Sequence, residues 1–281
     1  MAALYDTHCH LGFAGNAVEL AAAAAERGGA LSATVEPAGF EADRAALVGL
    51  EPHVRVGLGL HPWWVADGRC GEAEIARFEE LVPQAHFIAE VGLDFAPRRA
   101  GTEDVQRAAF ERVCRAAAQS PLPRDEMRAQ RKGAGHDDAH AESPAPWAAA
   151  AGRVLSLHAV RAADAVLDVL ERTGCLDVCT CIFHWFSGTS DELQRAIGAG
   201  CLFSINERML ETKRGRAYAR AIPQERLLLE TDAPAHPVAT YSPAAHEAQL
   251  RRTLEALALA RGEAPETLGA IIAETSARIL A

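Results

Sequence analysis

The chain starts with an apolar run that ends in two histidines, Ala3-Leu4-Tyr5-Asp6-Thr7-His8-Cys9-His10. Alternate side chains of an extended strand point to the same face, so this pattern predicts that Asp6, His8 and His10 point one way and that Thr7 and Cys9 point the other way. Two imidazoles that converge in this manner either bind a metal or are hydrogen-bonded residues of the core. The rest of the chain distinguishes between these two interpretations.

Apolar runs of strand length recur along the chain and alternate with amphipathic stretches of helical period. We predict eight strands, at residues 3–8, 31–36, 54–60, 86–91, 153–158, 178–184, 201–205 and 227–231. Most are continuous apolar runs, which are typical of parallel strands covered on both faces. Helices are predicted at residues 16–27, 72–81, 102–118, 162–172 and 191–199, with two more within 243–281. This alternation, without a G-x-G-x-x-G motif after the first strand, predicts an α/β fold of the (β/α)8 TIM-barrel type, as a single domain over residues 1–281.

One segment, residues 120–147, interrupts the alternation. It contains prolines, glycines and mixed charges and almost no apolar residue larger than alanine. Such a segment cannot build a core, so we predict a flexible, exposed insertion. His136 and His140 within it have the spacing that would let them share a metal on a helix, but the surrounding glycines and prolines favour a solvated loop.

Charge and composition limit the classes of function. The formal net charge is −10, whereas proteins that grip duplex nucleic acid through many phosphates are usually basic, so a broad non-specific groove is not expected. A nuclease is still compatible with this charge, because two divalent ions held by two carboxylates leave a site positive.

No apolar run is long enough to cross a bilayer and the first residues lack the features of a signal peptide, so we expect no membrane partner and a cytoplasmic location. The seven cysteines, without a C-x-x-C pair, agree with a reducing compartment.

Six side chains that can bind metal follow the predicted strands. They are His8 and His10 after the first strand, Glu90 after the fourth, His158 after the fifth, His184 after the sixth and Asp232 after the eighth. In a (β/α)8 barrel the carboxyl ends of the strands meet at one mouth, where the active sites of this fold are built. Charged and imidazole groups after such apolar strands are costly unless they are paired or bound to metal. Four histidines and two carboxylates match the ligands of two divalent ions that share a bridging carboxylate.

Six motifs occur in order along the chain: 6–11 (Asp-Thr-His-Cys-His-Leu), 59–62 (Gly-Leu-His-Pro), 89–94 (Ala-Glu-Val-Gly-Leu-Asp), His158, 184–188 (His-Trp-Phe-Ser-Gly) and 230–234 (Glu-Thr-Asp-Ala-Pro). Together they resemble the TatD family of metal-dependent deoxyribonucleases, nearly from end to end. The insertion, the long helix before it, motif 184–188 and residues 203–206 look more specifically like the TatD-like component of Qat-type anti-phage systems.

The resemblance implies a phosphodiesterase that depends on two divalent ions (Mg²⁺, Mn²⁺ or Zn²⁺) and cleaves DNA, often as an exonuclease on single-stranded ends. It implies one ion held by His8, His10, Glu90 and Asp232, and a second ion held by Glu90, His158 and His184. A metal lowers the pKa of its bound water, and Asp232 is the carboxylate expected to orient or deprotonate that water while Glu90 joins the two ions. Asp6 would either fix a histidine ring or bond to the backbone.

Three side chains are the predicted substrate contacts: His61, Arg161 and Trp185. His61 would contact the phosphate. Relatives in the TatD family usually carry an arginine two residues after the fifth-strand histidine, but this chain has Val160 there, so Arg161 is the nearest candidate for that role. Trp185 either stacks a base, which is worth about 1–3 kcal/mol, or only packs its loop, and the same alternatives hold for residues 63–64.

Two other functions remain compatible with the sequence. The first is a small-molecule hydrolase of the amidohydrolase type on the same barrel; the variety bridged by a carbamylated lysine is excluded, because Glu90 stands at the fourth strand and the two lysines, Lys132 and Lys213, lie elsewhere. The second is a partner-dependent subunit of a defence complex. The complete set of ligands argues against a dead site, but it does not argue against dependence on partner proteins of an anti-phage operon.

Overall fold

The computed structural model describes residues 3–123 and 152–281, and within these ranges eight strands alternate with helices. The strands are β1 (Leu4–Cys9), β2 (Gly28–Ala33), β3 (Val54–Gly57), β4 (Phe87–Asp94), β5 (Val154–Val160), β6 (Thr180–His184), β7 (Leu202–Ile205) and β8 (Leu227–Leu229). Each boundary lies within three residues of the prediction. The eight strands are therefore confirmed as the frame of the molecule.

The helices of the same ranges include all those predicted. They are α1 (Ala17–Arg27), α2 (Pro37–Ala46), α3 (Pro62–Ala66), α4 (Glu72–Leu81), α5 (Glu103–Gln119), α6 (Ala163–Thr173), α7 (Cys175–Val178), α8 (Ser190–Gly198), α9 (Glu207–Glu211), α10 (Lys213–Ala221), α11 (Pro243–Arg261) and α12 (Pro265–Leu280). Thr189 and Glu192 cap α8 reciprocally, because each side chain accepts the backbone N–H of the other residue. None of these helices is long and apolar enough to span a membrane.

The strands form two parallel sheets that close into a barrel. Strands β1 to β3 form one sheet and β4 to β8 form the other. At the seam between β3 and β4 the backbone N–H of Leu58 donates to the carbonyl of Phe87 (2.9 Å), and at the seam between β8 and β1 the N–H of Asp232 donates to the carbonyl of His8 (2.9 Å). The predicted TIM barrel is confirmed.

The interior of the barrel is layered, because alternate residues of each strand point inward. The lower layer is apolar and includes Val154, Ile182, Leu202 and Leu228, against which the end of α12 packs. Two residues further along the same four strands, the buried side chains are polar: Ser156, His184, Ser204 and Glu230. The inward-facing side chains of these strands are therefore apolar at the floor of the barrel and polar at its mouth, where the strands end.

Arg153, just before β5, joins three parts of the fold below the barrel. Its guanidinium is 2% exposed and donates to the backbone carbonyls of Val82, Ala85, Ala117, Ser120 and Pro121. These carbonyls follow α4 and lie at the end of α5, so one side chain holds both helices against the start of β5. Most of the insertion predicted at residues 120–147, with His136 and His140, lies outside the described residues, and a single domain over the whole chain stays a prediction.

Candidate metal centre

The six predicted ligands meet at the carboxyl ends of the strands. His8 and His10 come from β1 and the residue after it, Glu90, His158 and His184 come from β4, β5 and β6, and Asp232 follows β8. The side chain of Asp232 is 20% exposed, whereas that of Glu90 is 3% exposed and those of the four histidines are 8% exposed or less. The cluster is therefore buried, with one carboxylate open to the mouth.

One oxygen of Glu90 faces the histidines of the first strand. Its Oε2 lies 3.5 Å from His8 Nε2 and 3.6 Å from His10 Nε2. Asp232 Oδ1 lies 3.8 Å and 3.3 Å from the same two nitrogens. These separations match the edges of a tetrahedron of ligands around a divalent ion, which are about 3.4 Å long when the ligands lie about 2.1 Å from the ion.

The other oxygen of Glu90, Oε1, faces three histidines. It lies 2.6 Å from His158 Nδ1, 2.7 Å from His184 Nε2 and 3.2 Å from His61 Nε2. Glu90 is thus shared between two groups of ligands, as a bridging carboxylate would be. His61, predicted as a substrate contact, lies inside the cluster as well as on the wall of the cavity above it.

A buried ring nitrogen without a partner indicates that these residues fit a metal. His8 Nε2, which faces Glu90 and Asp232, makes no hydrogen bond to any described residue, and such a buried orphan group needs an explanation. His8 Nδ1 lies 2.7 Å from Ser156 Oγ, and His10 Nδ1 lies 2.9 Å from the carbonyl oxygen of Ala33. Outer contacts of this kind orient metal-binding imidazoles, and here they direct both Nε2 atoms at the carboxylates.

The surroundings keep both carboxylates ionised. Burial alone would raise the pKa of Glu90, but the adjacent histidines, His61 and His184 first, hold it well below its usual range. Burial also opposes ionisation of Asp232, but His10, together with His184 and His8, lowers the pKa of Asp232. Burial lowers the pKa of His61 to about 4, so this ring is neutral at pH 7. Its Nδ1 accepts the backbone N–H of Trp63, which leaves Nε2 as the N–H that faces Glu90.

Two further carboxylates, which the sequence analysis did not single out, lie behind the ligands. Asp94 Oδ2 accepts the indole N–H of Trp63 and lies 3.6 Å from His158 Nε2. Glu230 Oε1 lies 3.8 Å from His184 Nδ1. Glu230 stands two residues before the ligand at the eighth strand, so strand alternation alone could have placed it on the same face.

Asp6 does not point into the mouth. It accepts a hydrogen bond from His246 Nε2 of α11 (2.7 Å), and its carboxylate lies with Cys9 beside that ring. The prediction that Asp6 shares a face with His8 and His10 is wrong, because the register of β1 against β2 shifts between Asp6 and Cys9. The alternative of a backbone contact is confirmed, since Asp6 accepts the N–H of His8 (3.2 Å).

A cavity of about 640 Å³ lies above the cluster. Trp63, Trp64 and Trp185 are half-buried and line it. Arg161, the predicted phosphate contact, is exposed and is not among the lining residues. Three other arginines line the cavity: Arg69, Arg98 and Arg208.

An α/β barrel with a cluster of histidines and carboxylates at the carboxyl ends of its strands defines a metal-dependent hydrolase. The family described as TatD related DNase matches residues 5–124 and 143–281. The chain belongs to this family, and the family resemblance predicted from the six motifs is confirmed.

The relatives agree with this assignment. A 3'-5' ssDNA/RNA exonuclease TatD from Citrobacter rodentium is 32% identical over 231 residues, which cover 78% of this chain and 74% of the relative. A Deoxyribonuclease Tat-D from Schizosaccharomyces pombe is 28% identical over 147 residues, which cover 52% of this chain and 37% of the relative. The crystal structure of a TatD homologue from Escherichia coli has a TM-score of 0.71 at 19% identity and covers 98% of this chain and 97% of its own, which confirms the fold.

Proposed function

We propose that this protein is a deoxyribonuclease that cleaves phosphodiester bonds with a metal-activated water at a two-ion site. The observation that carries the proposal is the position of Glu90, whose two oxygens face separate groups of ligands at the floor of an open cavity. One relative is named a 3'-5' ssDNA/RNA exonuclease and another a deoxyribonuclease, which supports nucleic acid as the substrate class. Single strands or strand ends are the proposed substrates.

The proposed ligands divide between the two oxygens of Glu90. One divalent ion would be held by His8, His10, Glu90 and Asp232, and the second by Glu90, His158 and His184, with His61 adjacent. Histidines and carboxylates accept Mn²⁺ and Zn²⁺ readily and Mg²⁺ through the carboxylates, so the proposal covers all three ions.

The side chains have distinct roles in the proposed reaction. When bound, the ions supply a water of lowered pKa and positive charge against the phosphate. Asp232 is the most exposed of the ligands, so it is the carboxylate that a water on the cavity side can reach, and it accepts the proton of that water. Glu90, enclosed by imidazoles on both oxygens, fixes the relative positions of the two groups of ligands.

Substitution of the two carboxylates tests the proposal. We expect the purified chain with Mn²⁺, Mg²⁺ or Zn²⁺ to cleave end-labelled single-stranded DNA. Glu90→Gln and Asp232→Asn are each expected to lower the rate by about 100-fold or more, because loss of a residue that only supports a metal ligand already lowers activity by up to about 100-fold. The control is Glu255→Gln, an exposed carboxylate on α11. Wild-type rates for Glu90→Gln, or no cleavage of DNA by wild type that has bound metal, would contradict the proposal.

Other sequence predictions remain part of the proposal. An anti-phage role with partner proteins rests on the sequence resemblance alone. A cytoplasmic location is supported by seven cysteines that are all free and buried.

The same assay, with a generic small phosphodiester and lactone or amide substrates, separates the nuclease from a small-molecule hydrolase. Activity that occurs only with added operon proteins would identify a partner-dependent subunit.

A further inference from the structure

Each of the three tryptophans on the rim of the cavity has an arginine guanidinium over its indole ring. The distances from the guanidinium carbon to the ring centroid are 4.6 Å for Arg98 and Trp63, 5.1 Å for Arg69 and Trp64, and 5.8 Å for Arg208 and Trp185. All six side chains line the cavity above Glu90. We refer to Arg69, Arg98 and Arg208 as the rim arginines.

The rim arginines differ in their partners from arginines that are held by carboxylates. Arg77 and Arg112, for example, are paired with carboxylates of neighbouring helices. Arg69 and Arg208 have no carboxylate within 4 Å among residues 3–123 and 152–281, and Arg98 only reaches Asp94, at 3.7 Å. On a chain of net charge −10, two cations that have no carboxylate partner among the described residues, beside the candidate metal centre, favour an anionic ligand there.

The pairs lie on two sides of the mouth. Trp63, Trp64 and Arg69 follow β3 and Arg98 follows β4, whereas Trp185 follows β6 and Arg208 follows β7. Strand β5, which carries the ligand His158, stands between these two groups in the order of the barrel. A ligand that touches both groups therefore passes over the cluster.

We propose that the rim arginines and their tryptophans grip a single strand of nucleic acid on both sides of the phosphate that lies on the cluster. This inference rests on the proposed function and adds the residues that hold the substrate. An arginine that lies on an indole is held in place and keeps N–H donors for phosphate oxygens, so Arg69 and Arg208 bind backbone phosphates. Bases stack on aromatic rings and on guanidinium planes, and the bases of a duplex are already stacked on each other, so the grip favours single strands.

The affinity for single-stranded DNA, measured under conditions that prevent cleavage, tests whether the rim arginines and their tryptophans grip the strand. Fluorescence anisotropy of a labelled single-stranded DNA of about 12 nucleotides is recorded in EDTA at several salt concentrations. We expect Arg69→Gln/Arg208→Gln to bind at least about tenfold more weakly and to reduce the slope of log Kd against log salt by about 1.4, because each contact of a single strand with a phosphate contributes about 0.7. Trp185→Leu is expected to weaken binding about fivefold or more with little change in slope, because it removes stacking without removing charge.

Arg44→Gln is the matched control. The Arg44 guanidinium carbon lies 5.3 Å from the ring centroid of Phe40, in the same kind of pair, but Arg44 is in the last turn of α2, away from the mouth. It is expected to leave both the affinity and the slope unchanged. Equal binding by Arg69→Gln/Arg208→Gln and Arg44→Gln, or equal affinity of wild type for single strand and duplex, would overturn the proposal.

The two proposals fail in different experiments. If the wild-type chain cleaves no phosphodiester with any of the three metals, the proposed activity is wrong, while anisotropy in EDTA still measures the grip. If the chain cleaves single-stranded DNA but the double variant binds it as tightly as wild type, the activity stands and the grip is wrong.

Discussion

Among the described residues, three that are not glycine have a left-handed backbone: Arg161, Trp185 and Asp232, with φ values of 53°, 42° and 53°. Each lies just beyond the carboxyl end of a strand, and each costs about 1–3 kcal/mol, so it persists only because the surrounding structure holds it. Trp185 and Asp232 line the cavity, whereas Arg161 is exposed and does not. Nothing in the local sequence marks these bends, so the sequence alone could not tell which of the three side chains line the cavity.

Substitution of Asp94 tests whether a carboxylate behind a metal ligand raises the affinity of the site for metal. Burial would raise the pKa of Asp94, but the neighbouring His158 ring and the N–H groups of the Ala96 backbone and the Trp63 indole lower it, so the carboxylate is ionised. Asp94→Asn keeps the shape and removes the charge, so we expect the affinity for Mn²⁺, measured by titration calorimetry, to fall about 10- to 100-fold. Asp104→Asn, an exposed change on α5, is the control; an unaltered affinity for Asp94→Asn would show that Asp94 serves only to hold Trp63.

At the scale of elements, Arg153 is a contact that joins the residues after α4, the end of α5 and the start of β5. Arg153→Met leaves five buried or half-buried carbonyls without this donor, so we expect the free energy of unfolding, measured with urea, to fall by about 3 kcal/mol or more. Arg172→Met removes an exposed arginine paired with Glu111 and is expected to cost less than about 1 kcal/mol. Equal midpoints for the two variants would contradict this role of Arg153.

Elements that are buried on both faces could be predicted from the sequence, and contacts between elements could not. The run 227–229 has no polar residue because β8 is fully covered, so its pattern alone identifies a strand. Helix α7 was not predicted because its four residues are too few to show a helical period. Helices α2, α3, α9 and α10 were not predicted either. The face of Asp6 depends on the register between two strands, and the pairing of Arg208 with Trp185 joins two different elements. Both are properties of the tertiary structure.

At the scale of the whole molecule, the candidate metal centre spans the two sheets. His8 belongs to the sheet of β1 to β3, whereas Glu90, His158 and His184 belong to the sheet of β4 to β8. An ion held by ligands of both sheets would join them, and a ligand at 100 times its Kd stabilises the folded state by about 2.7 kcal/mol. We expect EDTA to lower the melting temperature in scanning calorimetry and Mn²⁺ to restore it.

The variant His8→Ala/His10→Ala is the control for this effect. It is expected to keep the circular dichroism spectrum of the wild type and to lose most of the stabilisation by Mn²⁺, because one group of ligands is removed. Global unfolding of the variant would instead show that these two histidines are residues of the core, and an unchanged melting temperature of wild type that binds Mn²⁺ would contradict a link between the sheets.

The apolar floor of the barrel has a consequence for the electric field of the molecule. Below the cluster, the side chains of Val154, Ile182, Leu202 and Leu228 carry no charge, while above it the cavity is open. A medium of low polarisability beneath a charge and water above it direct the field lines outward through the opening. With two divalent ions in the cluster, the carboxylates of Glu90, Asp94, Glu230 and Asp232 would offset the charge of the ions, so the positive charge that an anionic polymer meets at the opening would come from Arg69 and Arg208.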